Sequence, residues 1–99
     1  MRCLRMTIGR WNLDLESPEA QEIFQRIQSE GVAVFHQQPG FVRYRLMRAD
    51  TRTTIAVAEW ESEALATAGA QQFRGWLSES GVRERLTMET YAGDIVAAS

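Results

Sequence analysis

The stretch Thr54-Ile-Ala-Val-Ala-Glu-Trp-Glu-Ser-Glu-Ala-Leu65 decides how this chain is read. Alternation from Thr54 to Trp60 has the period of two that a strand requires, and Ser62 followed by Glu63 is a helix start. A strand therefore hands over directly to a helix, with a tryptophan at the junction.

Working backwards, Phe41 to Arg48 alternates in the same way, and the short Ala49-Asp-Thr-Arg52 link predicts an antiparallel hairpin. Centred on Thr51, that hairpin sets Arg43 opposite Glu59, Arg45 opposite Val57, Tyr44 opposite Ala58 and Leu46 opposite Ala56. The register is favoured because it faces opposite charges across the pair, worth about 0.2–1 kcal/mol. Pro39-Gly40 precedes the hairpin as a turn.

Towards the N-terminus, Ser17-Pro-Glu-Ala-Gln21 is a second helix start, with Ser17 as cap, Pro18 in the first turn and Glu19 at the positive end of the dipole. Ala20, Ile23, Phe24, Ile27, Val34 and Phe35 carry the helix to about His36, and Gly31 either permits close packing or ends it early. Before it, residues 3 to 11 form a strand with Leu4, Met6 and Ile8 on one face and Arg5, Thr7 and Gly9 on the other. Beyond the hairpin, a helix capped by Ser62 carries Leu65, Ala68, Phe73, Trp76 and Leu77, with a kink expected at Gly69 and Gly75. Gly81 ends it, and Leu86 to Ile95 supplies the last strand.

The order strand, helix, strand, strand, helix, strand over residues 1–99 predicts one α+β domain of ferredoxin-like βαββαβ topology, with both helices on one face of a four-stranded antiparallel sheet. Phe41, Met47, Ile55 and Val57 are expected on the helix-free face, an apolar patch that a second copy would cover.

The helix side of the hairpin carries Val42, Tyr44, Leu46, Ala56, Ala58 and Trp60. Two alanines among large groups leave either an apolar pocket with few polar handles or a core filled by Phe24, Phe35, Phe73 or Trp76.

Composition narrows the alternatives. With 44% hydrophobic and 24% charged residues and a net charge of −2, the chain has no electrostatic case for nucleic acid. All eleven basic residues are arginine, read as surface groups. Cys3 is alone, and no window has the roughly 20 apolar residues of a membrane span, so a cytoplasmic location without membrane partners is expected. His36 is the single histidine, which leaves no histidine-based zinc site within one chain. At the end of the first helix it is a solvated residue or a general base at a pocket mouth.

Pro39-Gly-Phe-Val-Arg-Tyr-Arg-Leu-Met-Arg48, Ile55-Ala-Val-Ala-Glu-Trp-Glu-Ser-Glu63 and Phe73 together resemble the antibiotic biosynthesis monooxygenase-like family. The resemblance covers nearly the whole domain in element order. It implies a homodimeric α/β barrel and, for part of the family, cofactor-free oxygenation of phenolic polycyclic compounds to quinones. In that chemistry the deprotonated substrate supplies the electrons to dioxygen, and the protein excludes water and stabilises an oxyanion. Sites of this kind resemble a strand-end tryptophan, here Trp60, with an asparagine four residues earlier and a tyrosine in the next helix; those positions hold Ala56 and Ala66. The family's haem-degrading branch uses a histidine on the second helix, which this chain lacks.

The function expected is a cofactor-independent monooxygenase acting on a small aromatic or quinol-type compound. Trp60, Tyr44 and His36 are the expected catalytic residues, Tyr91 is a second candidate donor to a phenolate, and Leu46, Ala56, Ala58, Phe73 and Trp76 are the expected substrate contacts. A non-catalytic binding or dimerisation domain of the same fold is the alternative.

Overall fold

The computed structural model describes residues 1–99. Strand β1 (Cys3–Trp11) leads through Leu13 and Leu15, both buried, to helix α1 (Pro18–Arg26). The Ser17 hydroxyl accepts the Ala20 N–H at 3.2 Å, so the expected cap is in place. A π-helical stretch, Ile27–Gly31, joins α1 to α2 (Val32–His36) without a break in helical dihedrals, making one long helix. Gly31 is a packing position within it: a Cβ there would lie 3.0 Å from Phe73 Cε1 and 3.1 Å from Trp76 Cζ3.

The hairpin follows as β2 (Phe41–Arg48) and β3 (Thr53–Trp60), then α3 (Glu63–Glu79), a 3₁₀ turn (Val82–Arg85) and β4 (Leu86–Asp94). Ser62 caps α3 through its hydroxyl to the Leu65 N–H at 3.3 Å. Gly81, at φ +81°, supplies the left-handed residue that stops the helix region. All pairings are antiparallel, in the order β2-β3-β1-β4, which is the ferredoxin-like arrangement. No helix is long and apolar enough to cross a membrane.

The hairpin pairs as expected at Arg43↔Glu59, Tyr44↔Ala58, Arg45↔Val57 and Leu46↔Ala56. Glu59 sits between Arg2 at 2.8 Å and Arg43 at 3.7 Å. A bulge between Phe41 and Arg43 alters the first turn of the register, so that Phe41 rather than Val42 pairs with Trp60. Phe41 therefore packs on the helix side, stacked at 5.3 Å on Phe35 and edge-on at 5.4 Å to Trp60, instead of on the helix-free face.

Strand β1 shows its apolar row, Leu4, Met6 and Ile8, to the helix-free side, beside Val57, Ile55 and Met47 in adjoining rows. Both faces of this sheet are apolar at the centre, so hydrophobicity alone does not tell them apart. Tyr91, opposite Met6, also belongs to the helix-free face; it is 54% exposed and donates to Glu89.

Helix α3 is uninterrupted, without the expected break at Gly69 and Gly75. Its inward stripe is Ala66, Gly69, Ala70, Phe73 and Leu77, while Ala68 is exposed. Gly69 is the point of closest approach to the sheet, where a Cβ would fall 2.0 Å from Trp60 Cη2. Gly75 meets nothing within 4 Å.

These two glycines give opposite expectations. Gly69→Ala gains helix propensity but overlaps the rigid indole, a net loss of about 1–3 kcal/mol. Gly75→Ala gains about 0.5–1 kcal/mol with no clash. Urea unfolding of both variants checks this, and a Gly69→Ala protein as stable as the parent would refute the packing argument.

Candidate functional site

Between the sheet and the helices lies a cavity of about 90 Å³. The large aromatics therefore leave room for several waters or a small ring. The cavity exists because the central strands carry small residues where a core would carry large ones: Gly9 on β1 and Ala56 and Ala58 on β3. Leu46 and Tyr44 wall it from β2, and Phe73 and Leu77 from α3.

Phe35 anchors the aromatic wall. Its ring stacks on Phe73 at 4.3 Å and 14°, approaches Tyr44 at 4.7 Å, and meets Trp60 edge-on at 5.9 Å. The π-helical stretch brings it there by adding a residue to the turn, which rotates the following helix face so that Phe35, and not Val34, is fully buried.

Two tryptophans line the cavity, in different states. Trp11 donates its indole N–H to Thr54 Oγ1 at 2.9 Å. Trp60 is 0% exposed, and its Nε1 is buried with no hydrogen-bond partner. An unmet buried donor costs about 1–3 kcal/mol, and folded proteins seldom keep one without a use.

Tyr44 is enclosed enough that burial pushes its hydroxyl pKa well above the ordinary tyrosine value. At neutral pH the phenol stays protonated, so it serves as a hydrogen-bond donor and not as a base.

The structure thus brings together Trp60, Tyr44, Leu46, Ala56, Ala58 and Phe73 around one cavity. It does not bring His36 or Trp76 into it. His36 ends α2, exposed, edge-on to Phe41 at 5.2 Å in a groove between the first helix and strand β2. Trp76 packs behind Phe73 at 5.7 Å and donates to Glu30 Oε1 at 3.3 Å. Tyr91 is on the opposite face of the sheet.

Arg5, Thr7, Thr54, Arg74 and Thr90 also line the cavity and were not singled out from sequence. The Thr7 and Thr90 hydroxyls lie 3.1 Å apart across β1 and β4. The pocket is therefore richer in polar groups than its hairpin alone implies. No group of three His, Cys, Asp or Glu side chains is placed to hold a metal ion.

Tyr44 gives a pH signature. Its pKa is raised in the folded state, so its contribution to stability is complete below the unfolded value near pH 10 and is lost as pH rises beyond it. Tyr44→Phe should flatten the alkaline fall in stability, read from thermal melts between pH 8 and 11.5. Tyr91, raised by its bond to Glu89, remains in both proteins as an internal control. An unchanged alkaline limb would show that Tyr44 is not held protonated.

A family model described as antibiotic biosynthesis monooxygenase matches residues 15–84. No curated protein sequence matches the chain. Similar solved structures include SnoaB, a cofactor-independent oxygenase from Streptomyces nogalater, at 19% identity, over 98% of this chain and 95% of that one, with a TM-score of 0.75. HapK from Hahella chejuensis is 19% identical over 100% of this chain and 96% of its own, with a TM-score of 0.74. A dimeric ferredoxin-like protein from an uncultured marine organism is 9% identical over 99% and 98% of the two chains, with a TM-score of 0.71. At these identities the structural likeness is one of fold. The family model spans well over half of the sequence, and the chain belongs to the antibiotic biosynthesis monooxygenase family.

Proposed function

We propose that this protein is a homodimeric, cofactor-independent monooxygenase of the cytoplasm that acts on a small aromatic or quinol-type compound held between sheet and helices. The observation that carries the reading is the buried, unpartnered indole N–H of Trp60 in a side chain that lines a largely apolar cavity. A substrate oxygen would satisfy that donor, and Tyr44, kept protonated, would add a second.

The stacked pair Phe35 and Phe73 would wall the ring on one side, and cover by the helices would limit water. In the reaction the ionised phenol passes electrons to dioxygen. One oxygen atom stays on the ring as the new carbonyl, and the other leaves as water with the hydrogens lost from the ring carbon and the phenol. Donors at the phenolate oxygen favour the ionised form from which that transfer begins. His36 is too exposed and too far round the helix end to share the cavity, so the reading asks no base of it.

Ala56 and Ala66 support a second reading, a binding domain without catalysis, because they stand where the oxygenase pattern has an asparagine and a tyrosine. Ala66 is 1% exposed and packs with Trp60, leaving no polar group there.

Oxygen consumption separates the two. With a panel of mono- and bicyclic quinols, the parent protein should consume dioxygen above the spontaneous rate, and Trp60→Phe should bind them about 2- to 10-fold more weakly, the value of one neutral hydrogen bond. Equal binding by both proteins, with no dioxygen uptake by either, would remove the oxygenase reading.

The dimer rests on Leu4, Met6, Ile8, Met47, Ile55, Val57 and Tyr91, an apolar field on the sheet face that no helix covers. Light scattering at micromolar concentration should give about twice the 11.3 kDa chain mass, and Val57→Asp should return it to the single-chain value. A parent protein that stays at the single-chain mass would contradict it.

A further inference from the structure

Arg5 is a charged residue in an apolar place. It lies on a central strand, between Ala58 on β3 and Ala92 on β4, and faces the helices. It is half-buried, lines the cavity, and its guanidinium makes no ion pair or hydrogen bond within the chain. The acidic position nearest along that face is Asp94, opposite Cys3 in the adjoining row, and it forms no ion pair with Arg5. Arg74, beside Phe73 on α3, also borders the cavity but is exposed to solvent, and it too makes no ion pair or hydrogen bond within the chain.

The contrast with the other sheet face is informative. There Arg2 and Arg43 share Glu59. The chain carries 13 acidic residues against 11 arginines, yet no aspartate or glutamate lines the cavity. Its polar lining residues are Arg5 and Arg74, three threonines, Tyr44, and the two tryptophans, of which Trp11 already donates to Thr54. Partial burial of a guanidinium without a counter-charge is costly, and its planar fork matches a carboxylate.

Resting on the reading of this cavity as a substrate site, we propose that its ligand is an acid: a small aromatic or quinol-type carboxylate whose anionic group is held by Arg5 and Arg74 while its ring lies against Phe35 and Phe73. The apolar wall then selects the ring, and the arginines select the charged form and fix which end of the molecule reaches Trp60.

The test compares 2,5-dihydroxybenzoate with its methyl ester, which keeps the ring and both hydroxyls and removes the charge. By calorimetric titration the parent protein should bind the acid at least about tenfold more tightly, a preference that shrinks as salt rises. Arg5→Gln should abolish the preference by weakening the acid much more than the ester, Arg5→Lys should keep part of it, and Arg74→Gln should weaken it with no change in the sheet. Equal binding of acid and ester by the parent protein, no binding of the acid at millimolar concentration, or a preference that survives both glutamine variants would overturn the proposal. Oxygen uptake is read separately: an arginine-dependent acid preference without uptake sustains the anion site and removes the oxygenase, whereas uptake with neutral quinols and no acid preference does the reverse.

Discussion

The seating of Trp60 is the contact on which the rest of the structure depends. The residue ends β3, pairs laterally with Cys3 and Phe41, and lays its ring against the backbone of α3 at Gly69. Helix and sheet can approach that closely only because position 69 has no side chain. The indole then occupies one end of the space between the layers, and Phe35 closes on it edge-first. With that end filled by one large ring and the next two positions along β3 on the same face being alanines, space is left over in the middle of the layer. The cavity is thus a by-product of how the junction packs as much as of any single missing side chain.

Much of the fold was legible because the elements announce their own ends. Ser17 and Ser62 cap helices as their positions indicate, Gly81 stops one, and the charge match of Arg43 with Glu59 sets the hairpin register residue by residue. The departures have a common origin, which is that local pattern does not report which neighbour a side chain meets. Phe41 changed faces because one extra residue at Val42 is absorbed in a bulge, and nothing in Pro39-Gly-Phe-Val marks it. In the sequence Gly69 looks like a weak point in a helix, whereas its role is set by an indole nine residues earlier in the chain and on another element.

The candidate site was legible in half. Tyr44, Leu46, Ala56, Ala58 and Trp60 follow from the hairpin register, because a period of two places them on one face once the pairing is fixed. Arg5, Thr7 and Thr90 come from strands whose polar rows look solvent-facing in isolation, and it is their pairing, Arg5 with Ala58 and Thr7 with Ala56 and Thr90, that sets them on the helix side. His36 and Trp76 were the reverse case: aromatic or titratable, close in sequence to true lining residues, and carried past the cavity by the phase of their helices.

The π-helical stretch at Ile27–Gly31 makes the chain length of the first helix a determinant of the cavity wall. A residue added within an α-helix turns everything beyond it by about 100°, so the length of this segment and the facing of Phe35 are coupled. Loss of any one residue from that segment would wind the turn back and swing the ring off Phe73, emptying the wall without touching a single side chain in it. The length of the first helix is in that sense a coded quantity, because an insertion or deletion there would carry Phe35 away from Phe73, Tyr44 and Trp60 together.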